Sequence, residues 1–236
     1  MPTLVHREEA LSVLRRAFQQ AITSIDLARH RWIKLSATGR SALTACVNCQ
    51  LRLAHVHGPR WPAAGGGGIV RSGVELRALR QRREAQDNLP PVLDGLDAAV
   101  AGMQAATNSM RERLSAACGV LGEVEARNAP LLHTETGPQL LARAEAMLRA
   151  YDTERRLRRA MAREIAGDCC GHVSPAAEGE TGDAEAGGRL YERAGWESTA
   201  KLYLSAWVLS PFLESEVDEI VLESLAAEPM SPTRHR

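Results

Sequence analysis

Two groups of residues have types and spacing suited to metal chemistry. Cys46-Val47-Asn48-Cys49 separates two thiols by three positions, as half a zinc site does, and Cys169-Cys170-Gly171-His172 holds ligand types for the other half. The spacing also fits a plainer role, because Cys46 and Cys49 fall on the apolar seam of a long helical repeat, where cysteine packs as a small hydrophobe. His133, in Leu131-Leu132-His133-Thr134, is the histidine best placed to act as a base. No nucleophile or paired carboxylate accompanies it, so a loop or capping role is expected. The seven histidines form no HExxH pattern. Gly65 to Gly68 invites comparison with a phosphate-binding loop, but no Gly-Lys-Ser/Thr follows and no strand pattern precedes it. A connector is expected there, and the chain is expected to be no enzyme and to carry no cofactor or metal.

Charge offers a different chemistry. Arg155-Arg156-Leu157-Arg158-Arg159 is the densest basic run, and on a helix it brings Arg155 and Arg159 onto one face. These two are candidates for contact with an acidic partner, against the plainer reading of a solvated face. Near the C-terminus, Ser231-Pro232-Thr233-Arg234 has the form favoured by proline-directed kinases. A phosphate on Ser231 would add roughly −1.5 to −2 charge beside Arg234 and Arg236.

The elements that must position these groups follow from periodicity. With Leu11 as position a of a heptad, the a positions are Leu11, Phe18, Ile25, Trp32, Gly39, Cys46 and Leu53. The d positions are Leu14, Ala21, Ala28, Leu35, Ala42, Cys49 and Val56, and none of the fourteen carries a charge or an amide. A period of 3.5 held this long predicts a coiled-coil seam roughly 70 Å long at about 1.5 Å per residue. Gly39 is its weak point. His57, Gly58, Pro59 and Pro62 end it. A second seam runs through Leu89, Leu96, Met103, Met110, Ala117 and Val124, with Leu93, Val100, Thr107, Leu114 and Leu121 beside it. Pro90 and Pro91 suit a first helical turn. Each seam alone would expose its stripe, so the two are expected to pair as an antiparallel hairpin.

A third helix is expected from Pro138 to about Ala166, with Leu141, Ala144, Leu148, Tyr151, Leu157, Met161 and Ile165 along its apolar side. Residues 167–195 turn to Gly, Glu, Asp and Ala, a composition that predicts disorder. Short helices are expected over Thr199–Leu209 and Glu216–Ala227, then a loose tail. The expected fold class is all-α, an elongated antiparallel coiled-coil hairpin with a small C-terminal helical bundle. Its segments are a long N-terminal helix (1–57), a Gly/Pro-rich linker (58–73), a second coiled-coil helix (74–128), a C-terminal helical region (129–228) containing the acidic insertion 167–195, and a flexible tail (229–236).

Composition agrees with thin helical packing. Only 4% of the 236 residues are aromatic, too few for a thick globular core. Lys and Arg number 29 and Asp and Glu 29, so no dominant field for nucleic acid is expected. No stretch approaches the roughly 20 apolar residues of a membrane span. Five cysteines without framework spacing suit a reducing compartment, nuclear or cytosolic.

The C-terminal half carries a resemblance. Leu131-Leu132-His133-Thr134 resembles a Leu-hydrophobic-His-Thr pattern of the cyclin-dependent kinase 2-interacting protein family. Met147-Leu148-Arg149-Ala150-Tyr151-Asp152-Thr153-Glu154 and the stretch from Leu157 to Ala166 look like that family's following helix. Tyr203-Leu204-Ser205-Ala206-Trp207, Pro211-Phe212-Leu213-Glu214-Ser215 and Leu222-Glu223-Ser224 are similar to its Tyr-Leu-Ser-x-Trp, Pro-aromatic-x-Glu-Ser and continuing patterns. The resemblance covers about Leu131–Ala227 apart from the insertion and is thin over the N-terminal half. The longer 167–195 insertion and the tetraglycine connector depart from the family.

The resemblance implies a non-catalytic adaptor that associates with a cyclin-dependent kinase and its cyclin, the Cdc7 kinase and the ATR-interacting protein. It also implies membership of a complex with AAA ATPase subunits that serves ribosome maturation and replisome turnover. A structural coiled-coil tether of a centrosomal or kinetochore assembly is the competing reading. Tyr203, Trp207 and Phe212 are candidate anchors for a partner, since aromatic residues dominate interfaces. Their plainer role is packing the short helix onto the third.

Overall fold

The structure is a computed structural model and describes residues 4–56, 67–132, 135–167 and 184–213. Among the described residues the chain is all-α apart from one short strand pair. In order the elements are α1 (Leu4–Val56), α2 (Gly67–Asp87), α3 (Leu89–Leu121), α4 (Glu123–Asn128), β1 (Pro130–Leu132), β2 (Glu135–Thr136), α5 (Gly137–Gly167) and α6 (Ala184–Leu209). Among the described residues no helix is long and apolar enough to cross a membrane.

The seam of α1 is where periodicity puts it. Eleven of its fourteen positions are buried, and Leu11, Ala28 and Leu35 are half-buried. Ile22, Leu43 and Val47 are buried as well, one position beyond the a/d stripe. A stripe of that width packs against more than one neighbour, as helices of globular bundles do. The second seam is buried from Leu89 to Leu121, with Leu93 half-buried, and Thr107 within it satisfies its hydroxyl on the Met103 carbonyl at 2.9 Å. Val124 departs from the expectation, being 77% exposed. The cause is Gly122, whose φ of 88° ends α3 and turns α4 off the seam's line.

Other boundaries differ from the expected segments. α2 begins at Gly67, inside the expected 58–73 linker, and its docked side is made of small residues, Ala78 and Ala85. The expected 74–128 helix is interrupted at Asn88 and again at Gly122. α6 starts at Ala184, so helix reaches into the stretch 167–195 expected to be disordered. Local composition missed it because Ala and Glu are strong helix formers despite low hydropathy. The strand pair was not anticipated. It precedes the N-terminus of α5, where the Gln139 side chain accepts from the Thr136 backbone N–H at 2.9 Å and from its hydroxyl at 3.1 Å, and Pro138 sits in the first turn.

The chain divides into two compact units, and these interleave rather than follow one another along the sequence. The first contains Met1–Ile33, Leu96–Arg155 and Phe212–Arg236; the second contains Lys34–Gly95 and Arg156–Pro211. In the first unit Phe18, Met103, Met110, Leu131 and Tyr151 form part of the core, and Trp32 meets Tyr151 edge-on at 5.2 Å between centroids. A Cβ on Gly102 would lie 3.8 Å from Ala28, and one on Gly137 would lie 3.0 Å from Leu114. In the second unit Leu43, Cys46, Val56, Leu89, Met161 and Ile165 are buried. A Cβ on Gly95 would lie 2.7 Å from Leu35, and one on Gly39 would lie 3.1 Å from Val92. Glycine at these two points lets the helices approach closely.

Candidate functional site

Of the sequence candidates on α5 and α6, Arg159, Tyr203 and Trp207 lie in the second unit and Arg155 in the first, and their local geometry begins with α5. Its buried positions include Ala144, Met147, Tyr151, Glu154, Arg158, Met161 and Ile165, spaced by three and four without a gap. Two of these seven heptad positions are therefore charged. Arg158 is 1% exposed, and its environment explains how a guanidinium is tolerated there. Nη1 donates to the Ser36 hydroxyl on α1. Nη2 donates to Ser210 Oγ at 2.7 Å and to the Trp207 carbonyl at 3.4 Å. The guanidinium carbon lies 4.7 Å from the Trp207 ring centroid, a cation–π contact. Arg158 thus supplies hydrogen bonds and positive charge to the C-terminal end of α6, where backbone carbonyls lack intrahelical donors and the helix dipole is negative.

Trp207 completes the cluster. It is 2% exposed, and its indole N–H donates to the Ser36 carbonyl at 3.0 Å. A Cβ on Gly39 would sit 2.5 Å from Trp207 Cζ2, so the glycine expected to weaken α1 is the notch that admits this ring. Trp207 is accordingly a packing residue rather than an anchor held out to a partner. The ring lies against α1 as well as α5, which sequence reasoning had not placed together. Tyr203 is half-buried, and its hydroxyl donates to the Glu164 carboxylate on α5. Phe212 keeps 46% exposure and stays available to solvent.

The basic candidates are engaged within the fold. In the first unit, Arg155 pairs with Asp152 at 2.7 Å and Asp97 at 3.2 Å. The hydrogen bond to Asp152 leads in raising its pKa above the ordinary arginine value, so it stays charged throughout the working pH range. In the second unit, Arg159 reaches Asp94 on α3 at 3.3 Å. The two arginines serve different contacts, and Arg158, between them in the basic run, has the central position. Its signal was present in the sequence, because Arg158 and Glu154 fill the positions that continue the Ala144–Tyr151 stripe to Met161.

Cys46 and Cys49 are buried, as their seam positions require. Burial pushes the Cys49 thiol above its ordinary 9.0, against the opposing pull of Arg52 and Arg82. Among the described residues no group of three or more His, Cys, Asp or Glu is placed to hold a metal ion. His133, Cys169, Cys170, His172, the expected Glu216–Ala227 helix, the tail and Ser231 lie outside the described residues. The second unit also has a groove of about 620 Å³ lined by Thr38, Asn48, Cys49, Arg52, Gln81 and Glu84, where Arg52 donates to Gln81 at 3.0 Å. A groove of about 660 Å³ in the first unit is bounded by Arg7, Leu11 and the turn through Gly122 to Pro130.

No protein-family model matches the chain. None of the curated proteins matches it.

Proposed function

We propose that the protein is a non-catalytic adaptor of the cyclin-dependent kinase 2-interacting type. Its partners in this reading are replication kinases (a cyclin-dependent kinase with its cyclin, and Cdc7), the ATR-interacting protein and the AAA ATPase subunits of a ribosome-maturation and replisome-turnover complex. It works in the nucleus, with the cytoplasm as a second location, and touches neither nucleic acid nor membrane directly. The fold in this reading is an antiparallel hairpin of α1 and α3. Support comes from the second unit, where Leu35 neighbours Gly95 and Gly39 neighbours Val92, so numbers fall along one helix as they rise along the other.

The observation that carries the adaptor reading is the division of labour on α6. Trp207 and Tyr203 engage α1 and α5, while Leu202 and Leu209, seven residues apart, are exposed together with Val208. A helix fixed on one side that exposes leucines and a valine among Lys201 and Ser205 on the other suits protein contact. Purification of the tagged chain, with mass spectrometry of stoichiometric partners, tests it. AAA ATPases and replication or checkpoint kinases are the expected companions. Recovery of cytoskeletal proteins alone would favour the centrosomal or kinetochore tether, and turnover of a substrate by the isolated chain would end the non-catalytic reading.

A further inference from the structure

The geometry points to Ser210 as a phosphorylation site whose phosphate is held by Arg158. Ser210 is followed by Pro211, and Ser-Pro occurs in this sequence at 174, 210 and 231. Of these, 210 lies within the described residues. The inference stands on this site's geometry and does not depend on the adaptor reading.

Three observations converge there. Ser210 leaves the helix with a φ of 47°, uncommon for a residue with a side chain, and Pro211 prevents α6 from continuing. The surrounding turn faces water, since Leu209 is 75% exposed and Pro211 is exposed, so opening it uncovers little apolar surface. The Ser210 hydroxyl is already at hydrogen-bond distance, 2.7 Å, from a buried guanidinium. Arg158 is positioned by Ser36, Trp207 and the cation–π contact, so its placement does not depend on a phosphate being present.

The reaction is ordinary phosphoryl transfer from ATP by a proline-directed protein kinase. The Ser210 oxygen forms a bond to the γ-phosphorus, and the bond from that phosphorus to the β–γ bridging oxygen breaks. ADP leaves with the electron pair, and the hydroxyl proton passes to the kinase's catalytic carboxylate. A dianion at a helix C-terminus is opposed by the dipole, whose charge there is about half a unit and spread over a turn. A full guanidinium charge within hydrogen-bond reach outweighs it, so the phosphate fastens the end of α6 to α5.

The test uses the full chain carrying Ser174→Ala and Ser231→Ala, treated with a proline-directed kinase and ATP. Phosphopeptide mapping should find Ser210 modified, and Ser210→Ala should abolish the incorporation. The modified chain should melt at a higher temperature than the unmodified one. Its phosphorus NMR titration should give a second pKa below the usual value of about 6, because Arg158 favours the dianion. Absence of phosphate on Ser210 in the folded chain would overturn the proposal. So would a phosphate that titrates like free phosphoserine, or one that lowers the melting temperature.

Discussion

The two compact units each bury a tryptophan, and they use it differently. Trp32 in the first meets Tyr151 edge to face and is 1% exposed. Trp207 in the second is fixed by a hydrogen bond to a backbone carbonyl, a stacked guanidinium and a glycine notch. The first arrangement rests on volume and apolar area, which tolerate similar shapes. The second rests on direction, because each polar group there needs its partner. A chain with few aromatic residues can build cores in both ways, and the second way fastens a helix end at a defined place.

Substitutions can break that contrast, beginning with the largest effect. Trp32→Ala should lower unfolding free energy by about 3–5 kcal/mol in urea titrations, from lost area and a residual cavity. Arg158→Met should cost about 2–4 kcal/mol, because Ser36, Ser210 and the Trp207 carbonyl lose a charged donor. Arg158→Lys should recover only part, since an ammonium cannot reproduce the fork. A cost for Arg158→Met within about 0.5 kcal/mol of zero would reduce the second cluster to ordinary packing.

Glycine substitutions in the two environments should differ in sign. Gly39→Ala should destabilise by about 1–3 kcal/mol as the ring is displaced, even after the helix-propensity gain. Gly119→Ala on α3 has open space around the new methyl and should stabilise by up to about 1 kcal/mol. Equal effects in melting experiments would remove the notch from the account. The smallest expected change is for Arg159→Ala, under about 1 kcal/mol, because its partner Asp94 is largely exposed.

Alkaline pH probes the second unit as well. The raised Cys49 thiol means the folded state holds its proton more tightly than the unfolded chain. That contribution is complete below the ordinary value of 9.0 and is lost as pH rises through the folded value. Stability should therefore fall above pH 9 with a slope that Cys49→Ala reduces.

Much of this was legible in the sequence where one side chain type repeats. The α1 seam and α3 from Leu89 to Leu121 follow from apolar spacing because burial itself sets the period; α5 follows in extent, but its buried stripe runs through Leu140 and Met147 and leaves the expected Leu141, Leu148 and Leu157 half-buried. Strip width was less legible: Ile22, Leu43 and Val47 are buried by further helices whose positions no local window contains. The role of Arg158 is hidden for the same reason. Its partners are 122 residues away in Ser36 and 52 away in Ser210, and a basic run gives no hint of them. Gly39 looked like a defect in a helix because the ring that needs it arrives from α6.

The apolar stripes of α1, α3 and α5 are covered within one chain. Light scattering combined with thermal unfolding across a hundredfold range of protein concentration tests this most directly. The predicted result is the mass of a single 25.6 kDa chain and a melting temperature independent of concentration. A dimer mass, with melting that rises as the protein is concentrated, would mean that the seams close between chains.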